Sequence, residues 1–92
     1  MNRLELKALA DQTNQPKIDQ YLREYPIETL KTEIKTKASE GYYGYEFELP
    51  FRTHQSVADY LVKEFKKLGF DTSYRITSED IILNFHVKIE WN

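Results

Sequence analysis

The residues best suited to chemistry in this chain are its two histidines, His54 and His86. A histidine is the natural general base near neutral pH and a common metal ligand. Their surroundings offer neither role a second member. His86 lies in a run that alternates apolar and polar residues, with no serine or cysteine nucleophile close in sequence. His54 stands beside Thr53 and Ser56 just ahead of a helical pattern, which suits helix capping. Glu46 and Glu48 alternate along a strand-like run, and Glu79 adjoins Asp80 in a turn-like one. Neither pair shows the apolar burial that would raise a carboxyl pKa for acid catalysis. No short His or carboxylate spacing suggests a metal site, and the chain has no cysteine. Its three glycines each fall at an element end, leaving nothing from which to build a phosphate loop. The expectation is a protein without catalytic residues, cofactor or metal.

Two lysine groups remain. Lys31, Lys35 and Lys37 lie within one helical segment, and Lys63, Lys66 and Lys67 within another. Either group could touch phosphates, but Glu28, Glu33, Glu40, Asp59 and Glu64 are interspersed. The chain carries 13 basic and 15 acidic residues, a net charge of −2. Residues 1–41 hold seven of each sign, and residues 42–92 hold six basic and eight acidic, so neither half is a basic arm. Nucleic-acid affinity comes mainly from cations facing phosphates, so nucleic acid is the second choice of partner.

The elements that must position these groups follow from periodicity. Ile81, Leu83, Phe85, Val87, Ile89 and Trp91 alternate with Ile82, Asn84, His86, Lys88 and Glu90. Strand side chains point to opposite faces with period two, so one face is apolar and the other open. Tyr43, Tyr45, Phe47 and Leu49 alternate with Gly44, Glu46 and Glu48 as a first strand that Pro50 closes, and Tyr42 before it is expected at the surface. Phe70, Thr72, Tyr74 and Ile76 form a second strand, with Thr77-Ser78-Glu79-Asp80 as the turn into the third. Between the first two, Val57, Tyr60, Leu61, Phe65 and Leu68 give a helical stripe that ends at Gly69.

The first 41 residues read as helices. Leu4, Leu6, Ala8, Leu9 and Ala10 suit a short helix or arm after Asn2, and polar residues 11–15 read as a linker. Pro16 fits the start of a second helix bearing Ile18, Tyr21, Leu22 and Tyr25. Pro26 opens a third, with Ile27, Leu30, Ile34 and Ala38 inward and Gly41 ending it.

The fold expected is α+β in a single domain of residues 1–92. N-terminal helices precede a β-α-β-β unit, whose three-stranded, mainly antiparallel sheet has helices packed on one face. The third strand is favoured in the centre, order 1-3-2, because it is longest and most regular; the alternative pairs the first strand directly with the second. The outer face then carries a polar surface on which Glu46, Glu48, Arg75, Asn84, His86 and Lys88, with Tyr42 beside them, are the candidate interaction residues. Core membership of Tyr43, Tyr45 and Phe47 disfavours base stacking, which needs outward aromatics.

The segment Ile34-Lys35-Thr36-Lys37-Ala38-Ser39-Glu40-Gly41, the aromatic strand after it, Leu68-Gly69-Phe70 and the closing Ile89-Glu90-Trp91 carry a resemblance. Over residues 30–91 the chain resembles small proteins encoded by bacteriophages and prophages. The resemblance assigns no site residue. It implies a phage-derived accessory protein acting in the cytoplasm of a bacterial host. With no membrane-length apolar run, the reading that follows is a small non-enzymatic protein that binds another protein or itself, with Leu4, Leu6 and Leu9 as an exchangeable arm that could make a homodimer. The alternative is a nucleic-acid-associated factor using its lysine-rich helix faces.

Overall fold

The computed structural model describes residues 2–92. Three helices and three strands follow in the order α1 (Arg3–Glu24), α2 (Ile27–Ser39), β1 (Gly44–Glu48), α3 (Gln55–Lys67), β2 (Asp71–Glu79) and β3 (Ile82–Glu90). The sheet is antiparallel in the order β1-β3-β2, as the regularity of the last strand suggested. The fold is α+β, with the helices on one face.

α3 forms because its apolar residues recur at helical spacing and its ends are marked. The His54 side chain accepts a hydrogen bond from the Ser56 backbone N–H at 3.1 Å, capping the N-terminus. Lys66 and Lys67 lie in the last turn, where the helix dipole favours cations, and Gly69 takes φ +95° to turn the chain away. Val57, Ala58, Leu61 and Phe65 are enclosed against Phe85, Val87 and Ile89 of β3 and Thr72 of β2. Fully burying one large aliphatic or aromatic side chain is worth about 1.5–3 kcal/mol. This layer is therefore the main source of stability. Leu68, assigned to the same stripe from its spacing, is exposed because it caps the helix end beyond the sheet.

α2 adds Leu30 and Ile34 to the core and rests over β1. Pro26 is its N-cap residue, and Gly41 follows its end at φ +95°. Ile27 is half-buried and Ala38 exposed, so the inward stripe is shorter than the sequence pattern.

Three expectations need correction. Residues 11–15 are helical, and α1 runs unbroken through Pro16. The polar run is held by side chains one turn apart: Lys7 to Asp11 at 2.6 Å, Gln15 to Asp19 at 2.9 Å, and Thr13 Oγ1 to the Leu9 carbonyl at 2.9 Å. Asn2 caps the start by accepting from the Glu5 N–H. Pro16 cannot donate to the carbonyl four residues earlier, a local cost the helix absorbs because Ile18 and Tyr21 anchor its second half. The turn between β2 and β3 is not residues 77–80. Thr77, Ser78 and Glu79 stay in the ladder opposite Asn84, Leu83 and Ile82, and Asp80-Ile81 alone make the turn, with Asp80 at φ +58°. Aspartate tolerates that conformation better than most side chains. Finally, the apolar faces of the strands are only partly covered. Phe85, Val87 and Ile89 are buried, but Tyr43, Ile76, Ile81 and Leu83 are exposed.

The layer makes a direct prediction. Phe85→Ala should lose about 3–5 kcal/mol of unfolding free energy. Glu46→Ala, on the open face, should lose less than about 1 kcal/mol. Denaturant titration of both variants checks it, and a larger loss from Glu46→Ala would reverse the assignment of faces.

Candidate interaction surfaces

The open face of the sheet gathers most of the residues singled out from the sequence. In register across β1, β3 and β2, Glu46 lies beside Lys88 and Ser73, and Glu48 beside His86 and Arg75. Arg75 reaches diagonally over β3 to Glu46, with Nε at 3.0 Å and Nη2 at 2.9 Å from Oε1. Lys88 pairs with Glu90 at 3.4 Å. His86 is half-buried and its Nε2 lies 2.9 Å from Thr77 Oγ1, with Asn84 the next outward residue along the strand. The result is a charge-paired, well-hydrated surface. Exposed pairs of this kind contribute a few tenths of a kcal/mol each.

Tyr42 is exposed and lies just past the end of α2, with the Lys37 ammonium 5.2 Å from its ring centroid. The lysines do not converge. Lys31 bonds Glu28 at 3.3 Å and Lys67 bonds Glu64 at 3.2 Å, each within one helical turn. Lys35, Lys63 and Lys66 are exposed on the two helices. Among the described residues no group of three or more His, Cys, Asp or Glu side chains could hold a metal ion. His54 and His86 sit at opposite kinds of site, one capping a helix and one on the open sheet face.

Sequence reasoning missed two clefts and one apolar region. A cleft of about 410 Å³ lies between the last turns of α1 and the loop from β1 to α3, lined by Lys17, Tyr21, Tyr25, Arg52 and His54 among others. A second, of about 470 Å³, lies between that loop and the β2–β3 turn, with Ile81, Leu83 and Phe85 in its wall. Both depend on where the loop folds back, and Arg52 holds φ +64° there. The apolar region is the start of α1: Leu4, Leu6 and Leu9 are 76%, 50% and 61% exposed. Its leucines were visible in the sequence, but the continuous helix that carries them away from the core was not.

Tyrosine hydroxyls between helices and sheet tie the layers together. Tyr45 donates to Glu33 Oε2 at 2.5 Å, linking β1 to α2. Tyr74 donates to Asp59 at 2.7 Å and accepts from Gln55 at 2.9 Å, linking β2 to α3. Desolvation, then the Glu33 hydrogen bond, pushes Tyr45 up to about 12. Desolvation, with Tyr25 and Glu33 nearby, pushes Tyr21 to about 12 as well. The hydrogen bond to Asp59 and burial raise Tyr74.

Comparison with protein-family models, with curated proteins and with solved structures finds no match for the chain. Among the described residues no helix is long and apolar enough to cross a membrane.

The tyrosines set an alkaline limit. Below pH 10 they are protonated in both states, so their contribution to stability is intact. As pH rises from 10 to 12 the unfolded chain loses protons that Tyr21 and Tyr45 retain, and stability falls. Absorbance titration of phenolate should show two of the seven tyrosines ionising near pH 12. Tyr45→Phe should remove one of those two. Uniform ionisation near pH 10 would contradict the Tyr45–Glu33 link.

Proposed function

We propose that the protein is a small non-enzymatic accessory module, of the bacteriophage or prophage kind, that works inside a bacterium by binding protein. The observation that carries this reading is the N-terminal part of α1. Residues 3–13 are exposed all round, and three leucines stand among them. That stretch puts no side chain into the core, and helix stability in proteins comes mainly from packing an apolar face. Ordered use of such a segment calls for a surface to dock on, either another protein or a second copy of the chain.

The charge pattern supports protein over nucleic acid. Lys31 and Lys67 are each bonded to a glutamate on their own helix, and the chain is net negative. Two of the six candidate lysines are thereby paired, and the net negative charge of the chain lowers the potential it presents to a phosphate backbone.

A photo-crosslinking side chain at Leu9, compared with one at Lys35 on exposed α2, tests the reading in a bacterial lysate. A discrete protein adduct, self or foreign, should form from position 9 and not from position 35. Equal, diffuse labelling from both positions would contradict it.

A further inference from the structure

β2 is the outermost strand on its side of the sheet. The direction of its free backbone groups follows from two hydrogen bonds. The Leu49 N–H donates to the Phe85 carbonyl at 2.8 Å, and the Trp91 N–H to the Tyr43 carbonyl at 3.0 Å. In the β1–β3 register these are directly opposed pairs, so odd-numbered residues of β3 face β1 and even-numbered ones face β2. Their partners Asp71, Ser73, Arg75, Thr77 and Glu79 use their backbone groups inside the sheet. The N–H and C=O groups of Thr72, Tyr74, Ile76 and Ser78 therefore point out past the edge.

Such an edge is a template for another strand, and monomeric proteins usually blunt it. β2 lacks most of the usual devices, although Asp71, Arg75 and Glu79 place charges on its open face. Its sequence, DTSYRITSE, contains no proline, glycine or lysine. Its pairing with β3 is one-to-one throughout, without a bulge, and no charged residue points to the helix side. The opposite edge differs: β1 is short, and Pro50 follows soon after it. Ile76, on the helix side of β2, is 47% exposed.

We propose that β2 pairs antiparallel with β2 of a second copy about a twofold axis at Tyr74, extending the two sheets into one of six strands. The charges select the register. An axis at Arg75 would pair the whole strand, but it sets Arg75 against Arg75 and Asp71 against Glu79, and like charges directly opposed destabilise a sheet. Moving the axis to Tyr74 removes both conflicts and still pairs residues 71–77 of each copy. Thr72 and Ile76 of the two copies then exchange backbone hydrogen bonds, as do the two Tyr74 residues. The exposed Ile76 packs beside the Thr72 of its mate, Asp71 comes diagonal to the other Arg75 on one side and to the other Glu79 on the other, and the two Arg75 residues stand diagonal rather than directly opposed. Residues 73 and 75 of opposite copies face each other as a non-hydrogen-bonded pair, where Cα atoms are about 4.5 Å apart. The two α3 helices, which pack on β2 and β3, then flank the twofold axis on the same side of the joined sheet. The interface is isologous and closes at two.

This inference deepens the protein-binding reading by naming a second copy as the partner, but it uses a different surface from α1. The chain lacks cysteine, which makes engineered disulfides clean reporters. Light scattering at tens of micromolar should give twice the mass of one chain. A mixture of Ser73→Cys and Arg75→Cys proteins should oxidise to a crosslinked pair, whereas either variant alone should not. Ile76→Lys adds an inward charge at an already exposed position. It should weaken dimerisation roughly tenfold or more while circular dichroism stays unchanged. Deletion of residues 1–14 should leave the dimer intact. A monomer at these concentrations, a dimer lost with residues 1–14 but indifferent to Ile76→Lys, or crosslinking of either cysteine variant alone would overturn the proposed pairing. Adducts of a foreign protein at Leu9 would in those cases leave the broader protein-binding reading standing.

Discussion

The structure depends on one contact: the apolar stripe of α3 lying on a single face of the β2–β3 hairpin. Val57, Ala58, Leu61 and Phe65 meet Phe85, Val87 and Ile89, and all seven are buried. Phe65 meets Phe70 edge-on at 5.8 Å, and Tyr74 meets Phe85 edge-on at 6.0 Å, closing the layer at both ends. Once α3 covers that face, Glu46, Arg75, His86 and Lys88 have no choice but to face water, because strand side chains alternate. The crossover connection and the central place of β3 follow from the same contact. A helix between β1 and β2 returns over the sheet, and β3 lies between the two and pairs with both.

Coverage is incomplete, and the uncovered parts are where function is proposed. α3 has 13 residues, about 20 Å of helix, while β2 and β3 have nine each, about 30 Å of strand. The hairpin therefore runs past its lid, leaving Ile76, Ile81 and Leu83 exposed. α1 shows the same mismatch. Its second half is anchored through Ile18 and Tyr21, while its first half extends the molecule's long dimension to 50 Å. The exposed apolar groups of the hairpin and of α1, and the free backbone edge of β2, are the features on which the proposed protein-binding reading rests.

Much of the architecture was legible because it is written in short-range periodicity. The alternation from Leu83 to Trp91 and the stripe of Val57, Leu61 and Phe65 gave the sheet, its lid and the central strand. Gly41 and Gly69 marked helix ends where the backbone does take a positive φ. The misses share a cause. Residues 11–15 look like a linker by composition, yet side chains one turn apart and an anchored neighbour hold them helical. Thr77-Ser78-Glu79 look like a turn, yet ladder hydrogen bonds outweigh their weak local preference. How far a lid reaches over a strand is a matter of tertiary lengths, so the exposure of Tyr43, Ile76 and Leu83 could not be read from alternation alone. For the open face, the pattern gave which residues share it. It could not give that Arg75 reaches past β3 to Glu46, because that depends on strand order and side-chain length together.

Native-state hydrogen exchange tests the central contact most directly. If the α3–hairpin layer is the single cooperative core, amides of residues 57–65 and 85–89 should exchange slowest and with one shared opening free energy. Those in the first turns of α1 should exchange far faster. An α3 that opens independently of β3, or α1 amides as protected as those of β3 in dilute solution, would contradict it.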